Sequence, residues 1–249
     1  EATPKQKAAA RKALELDNTR AEVHYMLAIT NTWTDWDWLG AEREFRRAIE
    51  LNPNYPDARI YYSHFLNYMA RPKEAAIQAD RAMELDPLNT LFQGIYSMYL
   101  MQARRYDDGI VLLRKILENA PNDSIALSTL RSAYHMKRMY KEALETWRAS
   151  YAAKGDQEVL DALEHGFAEG GYQGALRRVA ETLVSRSQTT FVTPWQIATL
   201  YTRAGMNKEA IDWLEKAYQA HDQNMPYISV DPIFDDLRNE PRFQNILRR

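Results

Sequence analysis

The fold of this chain is decided by the stretch Glu74-Ala-Ala-Ile-Gln-Ala-Asp-Arg-Ala-Met-Glu-Leu-Asp-Pro87. Small residues equivalent to its Ala75 and Ala82 recur along the chain about every 34 residues. The first series runs Ala41, Ala75, Gly109, Ala143, Ala175 and Ala210, and the second runs Ala48, Ala82, Ile116, Ser150, Thr182 and Ala217. A third series begins Pro53, Pro87 and Pro121. These three series, here called the 34-residue registers, keep a constant offset from one another along the chain. They therefore predict an all-α, right-handed superhelical solenoid of antiparallel helix pairs.

Each repeat is predicted to contain a first helix, A, and a second helix, B, separated by a short turn. Pro72 supports such a turn, because proline disfavours the helical conformation of the residue before it, and Gly170-Gly171 marks another. The predicted pairs are 57–69 with 73–85, 90–103 with 106–118, 124–137 with 140–153, 156–169 with 172–187, and 194–204 with 207–220. Aromatic residues at the starts of the B helices are predicted to pack between consecutive repeats; they are Trp38, Tyr106, Tyr140 and Tyr172.

The repeat array is predicted to cover residues 1–225, with a half repeat at 4–16 and about six helix pairs from residue 21. The half repeat is assigned because Ala13 lies one period before Ala48, so the chain reads as part of a longer protein. Residues 226–249 are predicted to cap the apolar end of the array. Asp231-Pro232 and Glu240-Pro241 each place a proline at a helix start after an acidic cap.

Composition excludes several classes of function. The chain has 249 residues, 45% of them hydrophobic and 27% charged, and a net charge of −2, as expected for a folded protein without a basic, nucleic-acid-binding stripe. Its apolar runs fall short of the roughly 18 residues of a membrane span. It has no cysteine, which excludes disulfides and thiolate metal sites. The compartment stays unknown, with the bacterial cytoplasm favoured over the periplasm.

The residues that could carry chemistry do not form a catalytic motif. The five histidines make no H-x-x-x-H pair, and there is no G-x-S-x-G sequence. Gly170, Gly171 and Gly174 resemble a phosphate loop in composition alone, and their position predicts the end of a helix. We therefore expect no enzymatic activity, no metal and no cofactor.

The repeats resemble the tetratricopeptide repeat. The best matches are Glu74-Ala-Ala-Ile77 with Arg81-Ala-Met-Glu-Leu-Asp-Pro87, and Lys208-Glu-Ala-Ile211 with Leu214-Glu-Lys-Ala217. The family's Leu-Gly site is occupied by Ser63, Ser97, Arg131 and Leu163. Asp35-Trp-Asp-Trp38, the segment 41–53 and the tail 230–243 are similar to C-terminal arrays of bacterial winged-helix transcriptional regulators, nucleotide cyclases and Ser/Thr kinases. This resemblance implies the sensory or partner-binding part of a larger signalling or regulatory protein.

The resemblance also implies which residues bind a partner, because the A helices of such arrays line a concave groove. The residues projected onto this groove are Tyr25, Ile29, Trp33, Ile60, His64, Asn67, Tyr68, Met98, Met101, Gln102, Ser132, His135 and Met136. Aromatic and methionine side chains suit an apolar peptide or helix. The alternative is that several of these residues pack between adjacent A helices.

These observations predict a non-enzymatic protein–protein interaction module whose groove binds a peptide or protein segment. One alternative is a small-molecule sensing domain with a pocket in the groove, and another is a structural module for self-association. The identity of the partner and the oligomeric state are not specified by the sequence.

Overall fold

The computed structural model describes residues 8–9 and 12–248, and these residues form helices and turns without a β-strand. Residues 8–9 and 12–16 are helical, and the rest of the predicted half repeat at 4–16 lies outside the described residues. The later α-helices are α1 (Ala21–Thr30), α2 (Trp38–Leu51), α3 (Pro56–Tyr68), α4 (Pro72–Leu85), α5 (Thr90–Gln102), α6 (Tyr106–Asn119), α7 (Ser124–Met136), α8 (Tyr140–Ala153), α9 (Gln157–Arg186), α10 (Pro194–Arg203), α11 (Asn207–Gln219) and α12 (Pro241–Leu247). The predicted boundaries agree with these to within one residue.

In four of the helix pairs, the turn between the A helix and the B helix has the same structure. The second residue after the A helix adopts a left-handed conformation, at Ala70, Arg104, Arg138 and Gly205. The next amide then bonds back across the last turn, as in Arg71 N to Leu66 O at 2.9 Å and Met206 N to Tyr201 O at 2.9 Å. This is the Schellman ending of a helix. Three of the four positions are not glycine, so the backbone bonds stabilise a conformation that costs an L-residue about 1 kcal/mol.

The small residues of the 34-residue registers are buried, as the period predicts. Ala41, Ala75, Ala143, Ala175 and Ala210 have no exposed surface. A larger side chain at these positions would push the A and B helix axes apart. The registers therefore mark the crossings between helices.

The described residues fall into two compact units, unit 1 before and unit 2 after the Tyr99–Leu100 bond. In unit 1, α1 packs on α2 and α3 packs on α4. Phe45 and Phe65 are fully buried in one core cluster, and Ile60 lies in a second cluster with Phe92.

In unit 2, α7 packs on α8, α8 on α9 and α10 on α11. Helix α9 is broken at Gly170 (φ −151°, ψ 24°) and Gly171 (φ 62°, ψ −150°), where the turn between two helices was predicted. On either side of this break Gly166 and Gly174 touch, because a Cβ atom on either glycine would collide with the carbonyl oxygen of the other. The closest helix approach in this repeat therefore depends on two glycines that the 34-residue registers do not contain.

The C-terminal segment of unit 2 consists of short helical turns. The 3₁₀-helices Met225–Ser229 and Pro232–Leu237 precede α12, and Phe234, Leu237 and Phe243 are fully buried. The Asp231 carboxylate accepts from the Ile233 amide at 3.0 Å, as expected for an acidic cap. Glu240 is the N-cap residue of α12, with Pro241 at the first helical position as predicted, but its side chain makes no capping hydrogen bond. Arg249 lies outside the described residues.

Candidate binding surfaces

Six aromatic side chains in unit 1 form a connected group, here called the unit-1 aromatic cluster: Tyr25, Trp33, Tyr55, Tyr61, His64 and Tyr68. Trp33 lies at its centre, with ring centroids 5.9 Å from Tyr61, 5.7 Å from His64 and 5.9 Å from Tyr68. Tyr25 extends the cluster through an edge contact to Tyr55 at 5.5 Å and a tilted contact to Tyr61 at 5.7 Å. Rings held edge to face by several neighbours are fixed in orientation before any partner arrives.

Trp33 is placed by an irregular turn that the sequence analysis did not predict. Residues Asn31–Asp35 form one turn of π-helix after α1, and Trp36 follows in the left-handed conformation at φ 54°. The Thr32 hydroxyl donates to Ala28 O at 2.8 Å and holds the start of the turn. A π-turn rotates the side chains that follow it relative to a continuing α-helix, and such turns recur at functional sites.

The unit-1 aromatic cluster is electrically neutral. Burial lowers the pKa of His64 from 6.5 to about 3, so its imidazole is uncharged at neutral pH. The Tyr68 hydroxyl lies 2.7 Å from His64 Nε2 and is hydrogen-bonded to it. Burial also raises the pKa of Tyr25, and it raises the pKa of Tyr55 to about 12. The cluster therefore offers aromatic surface and hydroxyl groups rather than charge.

The predicted groove residues of unit 1 divide by exposure. Tyr25, Ile29, Trp33 and Met98 are partly exposed, whereas Ile60, His64, Asn67 and Tyr68 are buried. Ile60 has no exposed surface and packs on Ala79, Ala82 and Phe92, so in this structure it is a packing residue. Tyr61, next to it, is partly exposed and contacts Tyr25 and Trp33, and it was not among the predicted groove residues.

In unit 2, Met101 is buried, and Gln102, Ser132, His135 and Met136 are partly exposed. His135 Nδ1 lies 3.2 Å from the Tyr172 hydroxyl. The Tyr172 ring stacks on Tyr140 with centroids 4.8 Å apart and planes 17° apart. This contact joins the starts of the B helices of consecutive repeats, as predicted for aromatic residues at those positions.

Two arginines accompany His135 in unit 2. Arg203 on α10 is 7% exposed and donates to Ser132 Oγ at 2.7 Å and Thr199 O at 3.1 Å. Arg131 on α7 places its guanidinium carbon 4.0 Å from the centroid of the Trp147 ring and donates to Ser150 Oγ at 3.2 Å. Burial, followed by the charge of Arg203, lowers the pKa of His135 from 6.5 to about 3. Unit 2 thus combines aromatic rings with buried positive charge.

Sequence analysis noted Arg131 as a departure from the small residue of the family pattern, but it did not assign it to a site. That departure was the feature of the sequence that could have pointed to a site, because a long, charged side chain at a helix crossing needs neighbours that can accommodate its charge. Arg203 gave no comparable signal, since a basic residue in the last turn of a helix is ordinary.

The described residues contain neither a grouped set of metal ligands nor a membrane-spanning helix. Across residues 8–9 and 12–248, no three His, Asp or Glu side chains are grouped so that they could hold a metal ion. Within the same residues, no helix combines the length and the apolar character needed to cross a bilayer.

Comparison with known proteins identifies the fold but not a close relative. No protein-family model and no curated protein sequence matches the chain. Among solved structures, PilW, a widely conserved type IV pilus biogenesis factor, is 14% identical with a TM-score of 0.59, over 91% of this chain and 98% of PilW. PilF of Pseudomonas aeruginosa is 16% identical with a TM-score of 0.57, over 84% of this chain and 95% of PilF.

A structure of IFIT1 with Gppp-AAAA is 15% identical with a TM-score of 0.66, over 99% of this chain and 66% of IFIT1. At these identities the likeness concerns the fold alone. The paired helices, the buried small-residue registers and these neighbours agree, and the chain has an all-α fold like that of tetratricopeptide-repeat proteins.

Proposed function

We propose that this chain is a non-enzymatic protein–protein interaction module and that unit 1 binds a segment of a partner protein. The observation that carries the proposal is the unit-1 aromatic cluster. Its members Tyr25, Trp33 and Tyr61 are partly exposed and contact one another, and Trp33 also packs on the buried rings of His64 and Tyr68. Rigid aromatic anchors lose little entropy on binding and dominate the energy of many interfaces.

The chemistry of the cluster favours a partner segment with apolar side chains. Its imidazole is neutral and its hydroxyl groups can exchange hydrogen bonds with a backbone. Ile29 and Met98, both partly exposed in unit 1, add apolar surface, and methionine adapts to side chains of different shapes. An amphipathic helix or an extended apolar segment meets these conditions.

The biological context is part of the same proposal. The similarity of segments 35–53 and 230–243 to bacterial regulator arrays supports a role as the partner-binding part of a larger signalling or regulatory protein, in the bacterial cytoplasm. Residues 226–249 would cap the array, since the fully buried Phe234 and Phe243 lie in this segment.

Site-specific photocrosslinking tests the proposal. We would place p-benzoylphenylalanine at Tyr61, and at Ile77 as a matched control, because Ile77 lies on α4 of the same unit and is 64% exposed. Irradiation in cells of the native host should give a discrete adduct with another protein from position 61 and none from position 77. In the isolated complex, Trp33→Leu should weaken binding at least tenfold, as expected for a central aromatic anchor.

The other outcomes reject the proposal in distinct ways. Equal adducts from both positions would show that the cluster is not the binding surface. An adduct from position 61 with the mass of two copies of this chain would show self-association instead of partner binding.

A further inference from the structure

Arg203, which is buried, and Arg131, which is partly exposed, have hydrogen-bonding capacity in unit 2 that the protein does not use. A guanidinium group carries five N–H donors, and Arg203 commits two of them, to Ser132 and Thr199. Its Nε is buried and has no hydrogen-bond partner, and the same holds for Nε of Arg131. Buried donors are normally satisfied, so two orphaned guanidinium nitrogens in one region require an explanation.

The positive charge of the two groups is balanced by at most one nearby carboxylate, that of Asp231. Of the carboxylates in the described part of the chain, none forms an ion pair with Arg131 or Arg203. Asp156 is bound by both terminal nitrogens of Arg186, at 2.6 and 2.8 Å. Asp231, whose field reaches Arg203, accepts the Ile233 amide, and burial raises its pKa.

Arg203 lies near Arg131, because it donates to Oγ of Ser132, the residue that follows Arg131 on α7. Burial lowers the pKa of Arg131 to about 10, and the charge of Arg203 acts in the same direction. Burial lowers the pKa of Lys154 as well, and the charge of Arg131 adds to that effect. Neighbouring cations that share at most one carboxylate are unfavourable away from water, and a bound anion would reduce the penalty.

We propose that Arg131 and Arg203 form a binding site in unit 2 for a small organic carboxylate. The guanidinium fork matches the planar, bidentate geometry of a carboxylate. The Ser132 and Ser150 hydroxyls, which already accept from the two arginines, hold the guanidinium groups in place. Trp147, under the Arg131 guanidinium, supplies an apolar wall for the carbon skeleton of the ligand.

The surroundings favour a small carboxylate over other anions. Because the orphaned nitrogens are buried, a compact ligand reaches them more easily than a folded surface does. The aromatic surroundings disfavour phosphate and sulfate, since a compact anion with its charge on one centre costs more to dehydrate than a single carboxylate group. This site goes beyond the proposed function, because it lies in the other unit and binds a different chemical class.

The direct test is a nuclear magnetic resonance titration of the arginine Nε–Hε signals of the full chain. The probes are sodium acetate, sodium succinate, sodium sulfate, sodium phosphate and an N-acetylated alanine tripeptide as the free acid and as the amide. Sodium chloride at equal ionic strength is the reference. Arg131→Gln and Arg203→Gln assign the two signals.

We expect succinate or acetate to shift both signals with saturation, and each Gln variant to bind at least tenfold more weakly. The wild-type titration is informative even where a variant fails to fold, because it needs no substitution. Absence of a saturable shift with every carboxylate would overturn the proposal. A larger response to sulfate or phosphate would replace it with an inorganic-anion site. Binding of the tripeptide acid in preference to succinate and to the amide would reassign the source of the carboxylate to the end of a polypeptide.

Discussion

Helices α3 in unit 1 and α7 in unit 2 are equivalent A helices whose interiors differ. Ser63 and Arg131 occupy the same register, two 34-residue periods apart, and so do Asn67 and His135. Ser63 is 1% exposed at a close helix crossing, whereas Arg131 lies partly buried over the ring of Trp147. The repeat backbone therefore accepts either a small neutral residue or a long cation at one position.

The difference shows how a repeat fold acquires separate binding chemistries. In unit 1 the small residue allows close packing, and neutral aromatic rings fill the space around α3. In unit 2 the cation is accommodated by an aromatic ring and hydroxyl groups, without a carboxylate among the described residues. The equivalent helices α3 and α7 have nearly the same boundaries within their repeats. The chemical character of each repeat therefore depends on single side chains on a shared backbone.

The strongest test of the comparison is to exchange the residues at this register. Ser63→Arg would bury a cation and a long side chain where the surroundings are closely packed, and we expect a loss of about 3–5 kcal/mol of stability. Arg131→Met keeps most of the volume and removes a buried charge, so we expect a change of about 1 kcal/mol or less, of either sign. Urea unfolding of both variants measures the two free energies.

A large loss of stability in Arg131→Met would contradict the comparison, because it would show that the guanidinium is structural. A small loss in Ser63→Arg would show that unit 1 can also accommodate a cation.

The helix crossing within α9 gives the next largest effect. Gly166→Ala places a Cβ atom against the Gly174 carbonyl and 2.7 Å from Cβ of Arg178, so we expect a loss of about 1–3 kcal/mol. Gly170→Ala is the matched control, because its Cβ atom would meet nothing within 4 Å and its φ of −151° suits any residue. Thermal unfolding should separate the two variants, and equal melting temperatures would show that the repeat relaxes around the added methyl group.

Sequence analysis succeeded wherever a local signal decided the structure. The period located the buried alanines, and Pro72 and the Gly170–Gly171 pair marked turns that the structure contains. It missed the π-turn at Asn31–Asp35, because none of its residues is specific to a change in helical hydrogen bonding. It also projected Ile60 onto the groove, although Ile60 is fully buried and Tyr61 beside it is partly exposed, since the family projection fixes the direction of a helix face only approximately.

The neutral imidazole of unit 1 predicts a pH-dependent stability. The pKa of His64 is lowered to about 3 in the folded chain, below its unfolded value of 6.5. The unfolded state therefore binds a proton first, and the stabilisation present above pH 6.5 is lost as the pH falls towards 3. At pH 5 the expected loss is about 2 kcal/mol.

Urea unfolding of wild type and His64→Gln at pH 7 and pH 5 isolates this effect. The other titrating groups change the free energy of unfolding equally in both proteins, so the difference between the two losses comes from His64. We expect the variant to lose less stability between the two pH values than the wild type does. Parallel losses would mean that His64 does not stay neutral in the folded state.

The smallest expected effect is a change in the pKa of one histidine, and it distinguishes the two units directly. The pKa of His64 is lowered by burial, whereas the pKa of His135 is lowered by burial and by the charge of Arg203. Arg203→Met should therefore raise the pKa of His135, by about one unit or less, and leave that of His64 unchanged. The imidazole Cε1–H resonances of the two histidines report both titrations in one sample. Equal shifts at both histidines would indicate a general loosening of the structure, whereas a shift at His135 alone would demonstrate that positive charge distinguishes unit 2 from unit 1.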